Sequence, residues 1–493
     1  MRYILSIDQS TSATKGYLWD QAGREMAGAS RAHRQIVNSL GWVEHDAAEI
    51  YQNVLSVCKA VIEKAQVPPE KVETIGLCNQ RETAVCWDEN TGKPLCNAVV
   101  WQCARAAGLV SELERSGAAV AARRITGLPL SPYFTAAKLA WMVRNVGQVS
   151  DALRAGRLRM GTVDAWLCWK LAGIHRTDYS NASRTQLLNL DTLDWDDDML
   201  ALFGLRRECL PELCMSDSEF GRTNLEGLLP RKVPIHGVLG DSHAALLAHR
   251  CLSAGMGKAT YGTGSSMMVN AGGSRPAPSD GLTVSLAWGR GGQVQYALEG
   301  NVNDAGSVIQ WLCEDLGLLR SPQEAGKLAA SVDDANGVYL IPAFSGLGAP
   351  WFSDGVRAAF LGMNRTTRKA HLARAAEECI AYQVTDVMET VRRAMGMPSA
   401  PVCADGGPTR DLFLMQFQAD MLQTPLLVSD MGECSAAGAA WCAAFAQGLC
   451  GGEAFAPRYR RLSPQMPLEK RNALYEGWKS AVQTLLRCKG DAS

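Results

Sequence analysis

Residues 259 to 270, ATYGTGSSMMVN, repeat in outline residues 5 to 19, LSIDQSTSATKGYLW. Each is a short loop of glycine and hydroxyl residues, GTGS in one and QSTS in the other, set between apolar runs of β type. Repetition at about half the chain length predicts two related lobes, each opening with a strand, a loop and a strand. A chain of 493 residues is also too long for one compact core. Loops of this composition suit phosphate. Glycine lets the backbone approach closely, Thr and Ser supply hydroxyl donors, and consecutive backbone N–H groups form a concave anion site. Two such loops, one per lobe, could grip one polyphosphate from both sides; chance likeness of two Ser/Thr/Gly loops is the plain alternative.

The rest of the chain alternates strand-like and helix-like segments, which predicts a mixed α/β architecture. RYILSID, residues 2 to 8, reads as a buried strand, and GYLWDQAGREMAGAS turns at AGR into another. Residues 46 to 67 have helical period, with Asp46 as N-cap and Pro68 and Pro69 closing the helix. A strand VETIGLC, a polar loop NQRET and a strand AVCW follow. In the second half come strands TVSLAW and VQYALEG and a helix AGSVIQWLCEDLG. The Ala- and Gly-crowded segment 433 to 447 is expected to be a helix packed closely on a sheet.

Composition removes several classes of function. A formal net charge of -1 gives no electrostatic reason to expect nucleic acid or an anionic membrane as partner. Sixteen cysteines are spread along the chain without a CxxC pair or a neighbouring His at ligand spacing, so buried reduced thiols in a cytoplasmic protein are expected. No segment approaches the roughly 20 apolar residues of a membrane span, and Asp8 interrupts the short apolar run at the N-terminus. Walker and protein-kinase motifs are missing; Leu252 stands where the first glycine of a P-loop belongs.

Two carboxylates then stand out. Asp8 ends the first strand beside the first loop, where it could hold Mg²⁺ near phosphate oxygens. Asp241, in GVLGDSHAALLAHR, lies between an apolar strand and a helix, placed to take the proton of a substrate hydroxyl. Each has a bland reading as well, a turn cap for Asp8 and a helix N-cap for Asp241. His243 reads as a hydrogen-bonded structural residue.

YFTAAKLAWMVRN, GWVEHDAAEIY, NQRETAVCW, NAVVWQCARA, GTVDAWLCWKLAG, DYSNASRTQLLNLDTLDWDD, GVYLIPAFSGLGAPWF, DGGPTRDLFLMQFQAD and AAGAAWCAAFAQG follow one another in register along nearly the whole chain. In these stretches the sequence resembles the FGGY carbohydrate kinases, nearest the glycerol kinase branch. The resemblance implies two RNase H-like, actin-like lobes with a cleft between them, residues 1–248 binding polyol or sugar and 249–493 binding nucleotide. It implies ATP and Mg²⁺, with Asp8 and Asp241 at the metal. Thr11, Ser12, Ala13 and Lys15 would lie along the first phosphate loop, and Thr263, Gly306, Gln310, Gly407 and Asp411 around the nucleotide. Arg81, Glu82, Trp101, Tyr133 and Asp241 would bind the polyol, with Asp241 also the base. Relatives are commonly homodimers, and that state is implied here.

Departures from the family pattern bear on the acceptor. Ser266 replaces an aromatic residue that packs on glycerol, Ser242 replaces a Gln, and Ala104 replaces an Arg. Smaller side chains predict a roomier pocket, fit for a larger polyol or a ketose. Ser10 for Gly, Lys15 for Arg and Asp411 for Asn alter the nucleotide side, and residues after Phe220 lack a glycine-rich regulatory run. A catalytically idle sugar sensor and an actin-type ATPase remain as alternatives.

Overall fold

A computed structural model describes residues 2–353, 355–397 and 400–487. Two large mixed sheets organise it, and they share one plan. The first opens with β1 (Tyr3–Gln9) and β2 (Ala13–Asp20), an antiparallel hairpin extended by β3 (Glu25–Ala32). On the other side of β1, β4 (Val72–Asn79) runs parallel to it. The short β5 (Arg222–Thr223) ends the sheet, antiparallel to β6 (Val233–Gly240), which is itself parallel to β4. Strands β1 and β6 are buried along their whole length, as expected of apolar runs covered on both faces.

The second sheet repeats the order. Strands β7 (Gly257–Tyr261) and β8 (Ser265–Gly272) form the hairpin. β9 (Thr283–Arg290) is an added edge strand outside β10 (Gln293–Val302), and β10 pairs with β8 as β3 does with β2. β11 (Val402–Asp405) and β12 (Leu426–Ser429) continue in parallel from β7, and β13 (Tyr459–Leu462) closes antiparallel. The repeated phrase of the sequence is therefore the repeated hairpin of the fold.

Local chemistry sets the helices that matter. In α1 (Ala47–Ala65), Asp46 caps the N-terminus by accepting from the amides of Ala48 at 2.8 Å and Glu49 at 3.3 Å. α2 (Asp241–Ala248) starts directly where β6 ends. α3 (Gly306–Glu314), α4 (Lys369–Met395) and α5 (Leu412–Leu422) belong to the second sheet's surroundings. α6 (Cys434–Ala446), although late in the chain, packs on α2 and on β1, β4 and β6 of the first sheet. A Cβ on Gly438 would stand 1.9 Å from the carbonyl oxygen of Ala244, and one on Gly76 or Gly237 would stand 2.5 Å from that of Ala439. Glycine at those positions is what allows helix and strands to approach so closely.

The two halves are stitched elsewhere too. Val284 donates its amide to the Gly127 carbonyl at 3.1 Å, Leu286 to the Ser183 hydroxyl at 3.0 Å, and the Tyr296 hydroxyl to the Leu190 carbonyl at 2.8 Å. Among the described residues no helix is long and apolar enough to cross a membrane.

Candidate active site

The first loop joins β1 to β2. The Ser10 amide and hydroxyl both donate to the Ala13 carbonyl at 2.9 Å. Thr11 is held from three sides: its hydroxyl accepts from Trp101 Nε1 at 2.8 Å, and its carbonyl accepts from His33 Nε2 and Gln35 Nε2, each at 2.8 Å. Ser12 is exposed at the tip, and Ala13 begins β2.

The second loop joins β7 to β8 and is fastened to the start of α3. The Thr263 carbonyl accepts from the Ala305 amide at 2.8 Å and the Ser307 amide at 3.1 Å, and the Gly262 carbonyl accepts from Gly306 at 2.9 Å. Gly406 lies against the same strand end; with φ +99°, it has the Tyr261 carbonyl 2.0 Å from where a Cβ would be, so only glycine serves. Behind these turns lies a cavity of about 790 Å³ bordered by Gly306, Gly407 and Asp411. Asp411 caps α5 by accepting from the Leu414 amide at 3.0 Å. Gln310, further along α3, is exposed and donates to Glu314 at 3.0 Å. The structure thus brings Gly306, Gly407 and Asp411 around one space, while Thr263 lies in the adjoining turn and outside the cavity's lining.

Asp8 and Lys15 face each other across the β1–β2 ladder. Burial raises the Asp8 carboxyl to about 7, with Lys15 opposing the rise and Asp241 adding to it. Its hydrogen-bond donor is the Cys78 thiol, a weak one, at 3.4 Å. Lys15 is bound at 2.8 Å by Glu433, the residue before α6, so the ammonium is already in an ion pair.

Arg81 and Glu82 follow β4 and enter a buried charge network that the sequence reading did not include. Arg81 reaches Asp241 at 3.4 Å and Glu299, on β10, at 2.8 Å. Arg184 reaches Glu82 at 2.6 Å and Glu299 at 2.9 Å. Burial alone would raise the Glu299 carboxyl, yet Arg184 and Arg81 hold it well below the usual range. Asp241, first residue of α2, keeps 36% exposure at the cleft, while burial raises its carboxyl above the ordinary value against the pull of Arg81. The rings of Trp101 and Tyr133 meet edge to face with centroids 5.5 Å apart, and the hydroxyls of Ser242 and Ser266 lie 3.4 Å apart across the halves. His243 is buried with Nε2 3.2 Å from the Ser285 hydroxyl, a structural placement.

Arg184, Glu299 and Glu377 were missed. Glu299 carried a signal, a lone carboxylate inside the apolar run QYALEGNV, because a charge buried in a strand must be paired. Arg184 lies in the polar segment SNASRTQ, where nothing marks it as buried. Glu377 sits mid-helix in α4, buried beside the cavity, and burial with Asp411 nearby pushes its carboxyl well above the usual range.

Two sheets of one topology, each opening with a hairpin whose turn carries hydroxyl residues, and a buried charge network that joins them define a two-lobed enzyme of the actin-like ATPase fold. The chain belongs to the FGGY family of carbohydrate kinases: the family's N-terminal domain matches residues 3–248 and its C-terminal domain residues 257–447. It is a phosphotransferase with an alcohol group as acceptor. It is 46% identical over 491 residues to glycerol kinase 1 of Thermotoga maritima, covering 98% of this chain and 99% of that one. The glycerol kinase of Thermus thermophilus is 40% identical over 494 residues, covering 99% and 100%. The crystal structure of Plasmodium falciparum glycerol kinase with ADP superposes with TM-score 0.93 at 31% identity, over 99% of this chain and 98% of that one.

Proposed function

We propose that this enzyme transfers the γ-phosphoryl group of ATP to a terminal hydroxyl of a small polyol, glycerol or a somewhat longer polyol or ketose. The observation that carries this reading is Asp241, at the N-terminus of α2, in contact with Arg81 at 3.4 Å and open to the cleft. Arg81 and Glu82 offer fixed donors and acceptors for adjacent hydroxyls, which tolerate burial only when paired. Trp101 and Tyr133 offer flat apolar surface for the carbon chain. Residues 1–248 then form the polyol lobe and 249–493 the nucleotide lobe. Ser242 and Ser266 leave room where bulkier side chains would fill the pocket, which supports the longer acceptors.

In this reading the acceptor oxygen attacks the γ-phosphorus, the bond to the bridging oxygen of ADP breaks, and Asp241 receives the hydroxyl proton. Thr11, Ser12, Ala13 and Lys15 line one side of the polyphosphate and Thr263 the other. Gly306, Gln310, Gly407 and Asp411 surround the nucleoside, whose base meets Glu377. The phosphate competes with Glu433 for Lys15. The mutually repelling pair of buried Asp8 and cleft-facing Asp241 suits a divalent cation, and these two would hold Mg²⁺. When bound, it supplies charge neutralisation at the phosphates. Closure of the lobes keeps water out as a rival acceptor. Assembly as a homodimer and a cytoplasmic setting complete the proposal.

A coupled assay of ADP release with and without a panel of polyols and ketoses tests it. Turnover that depends on an acceptor is expected. Acceptor-independent turnover means an ATPase, and none means an idle sensor; either result overturns the proposal.

A further inference from the structure

A second cluster of ligating side chains lies away from the polyol residues, among three segments distant in sequence. His249 follows α2, Asp405 ends β11 and Cys434 begins α6, and all three are buried. One ligand atom from each lies within 4.8 Å of the others. His249 Nε2 is 2.6 Å from Asp405 Oδ2. Sequence spacing could not show this, because the fold alone brings these residues together.

We infer that His249, Asp405 and Cys434 form a site with three protein ligands for a thiophilic divalent cation of the zinc type. One imidazole, one carboxylate and one thiolate are donors of that class, and a water would complete the tetrahedron. The bond lengths expected at such a site set ligand atoms roughly 3.5 Å from one another, so an ion would part His249 Nε2 from Asp405 Oδ2, now 2.6 Å apart, and take the place of their hydrogen bond.

The surroundings have the form such a site requires. The second imidazole nitrogen, Nδ1, is fixed by the Tyr459 hydroxyl at 3.0 Å, which sets the ring's orientation. The Ser429 hydroxyl is 3.8 Å from Cys434 Sγ. Charge also balances. A carboxylate and one thiolate match the two positive charges of a divalent ion. The ion would join the end of the helix that begins with Asp241, the strand that leads into Gly406 and Gly407, and the helix that follows Glu433. This inference stands independently of the acceptor assigned above.

The test uses the full-length protein, purified without chelator, for metal content, and the same protein stripped by a strong chelator and titrated with Co²⁺. About one tightly held ion per chain is expected, together with a near-ultraviolet thiolate-to-cobalt absorption that saturates near one equivalent. Cys434→Ala should lose both the stoichiometric ion and the absorption. A folded wild-type protein without bound ion or absorption overturns the inference, and so does absorption unchanged in Cys434→Ala. Should the variant prove insoluble, X-ray absorption at the zinc edge of the wild type decides: sulfur together with nitrogen or oxygen neighbours supports the site, and nitrogen and oxygen alone overturn it.

Discussion

Asp241 is the residue on which the proposed chemistry turns. Replacing its carboxylate with an amide removes the proton acceptor and keeps the shape, so Asp241→Asn should lower kcat by about 10² to 10⁴-fold. Nucleotide affinity, read by calorimetry, should stay within about threefold. Full turnover by the folded variant would remove Asp241 from that role. Lys138 offers a different test. It is buried, donates to the carbonyls of Tyr133 and Phe134, and burial lowers its ammonium to about 7. Between about 7 and the unfolded value near 10.5, the unfolded chain binds the proton that the native chain does not, so stability rises with pH across that window. Relative to Lys138→Met, the wild type should gain about 2 kcal/mol between pH 7 and pH 9 in urea unfolding. A difference that stays flat with pH would mean that the amine remains charged in the folded protein.

Elements were legible where their signals are local. Asp46 as cap, Pro68 beyond the helix, and the hydroxyl turns between apolar runs each act within a few residues, and each lies where the sequence places it. The partner of an element was harder to read. The Ala and Gly content of α6 announced close packing, but nothing local says that its partner is the first sheet. Likewise Arg184 and Glu299 acquire meaning only once the chain has folded back on itself. The Lys15–Glu433 pair is a further case, since sequence reading gave that lysine to phosphate alone. The packing of α6 can be tested directly. Gly438→Val pushes side-chain atoms into the backbone of α2, where no flexible neighbour can yield. We expect a loss of at least about 2 kcal/mol in urea unfolding, with a lowered thermal midpoint. An unchanged midpoint would show that the two helices can separate without cost.

For the whole molecule, Glu299 is the shared anion of two buried guanidinium groups from the other half, Arg81 at 2.8 Å and Arg184 at 2.9 Å. Removing its charge leaves both cations underpaired, so Glu299→Gln should destabilise the protein by about 3–5 kcal/mol. Loss below about 1 kcal/mol in guanidinium unfolding would show that the network is solvated in practice. The position of α6 has an equally general consequence. The last strand of the first sheet ends at Gly240 and the helix that covers the sheet begins only at Cys434, so the nascent chain carries an open apolar face while the segment between them is made. Folding of the early half therefore waits on the late half, and premature termination leaves a sticky fragment where two independent domains would have left a finished one.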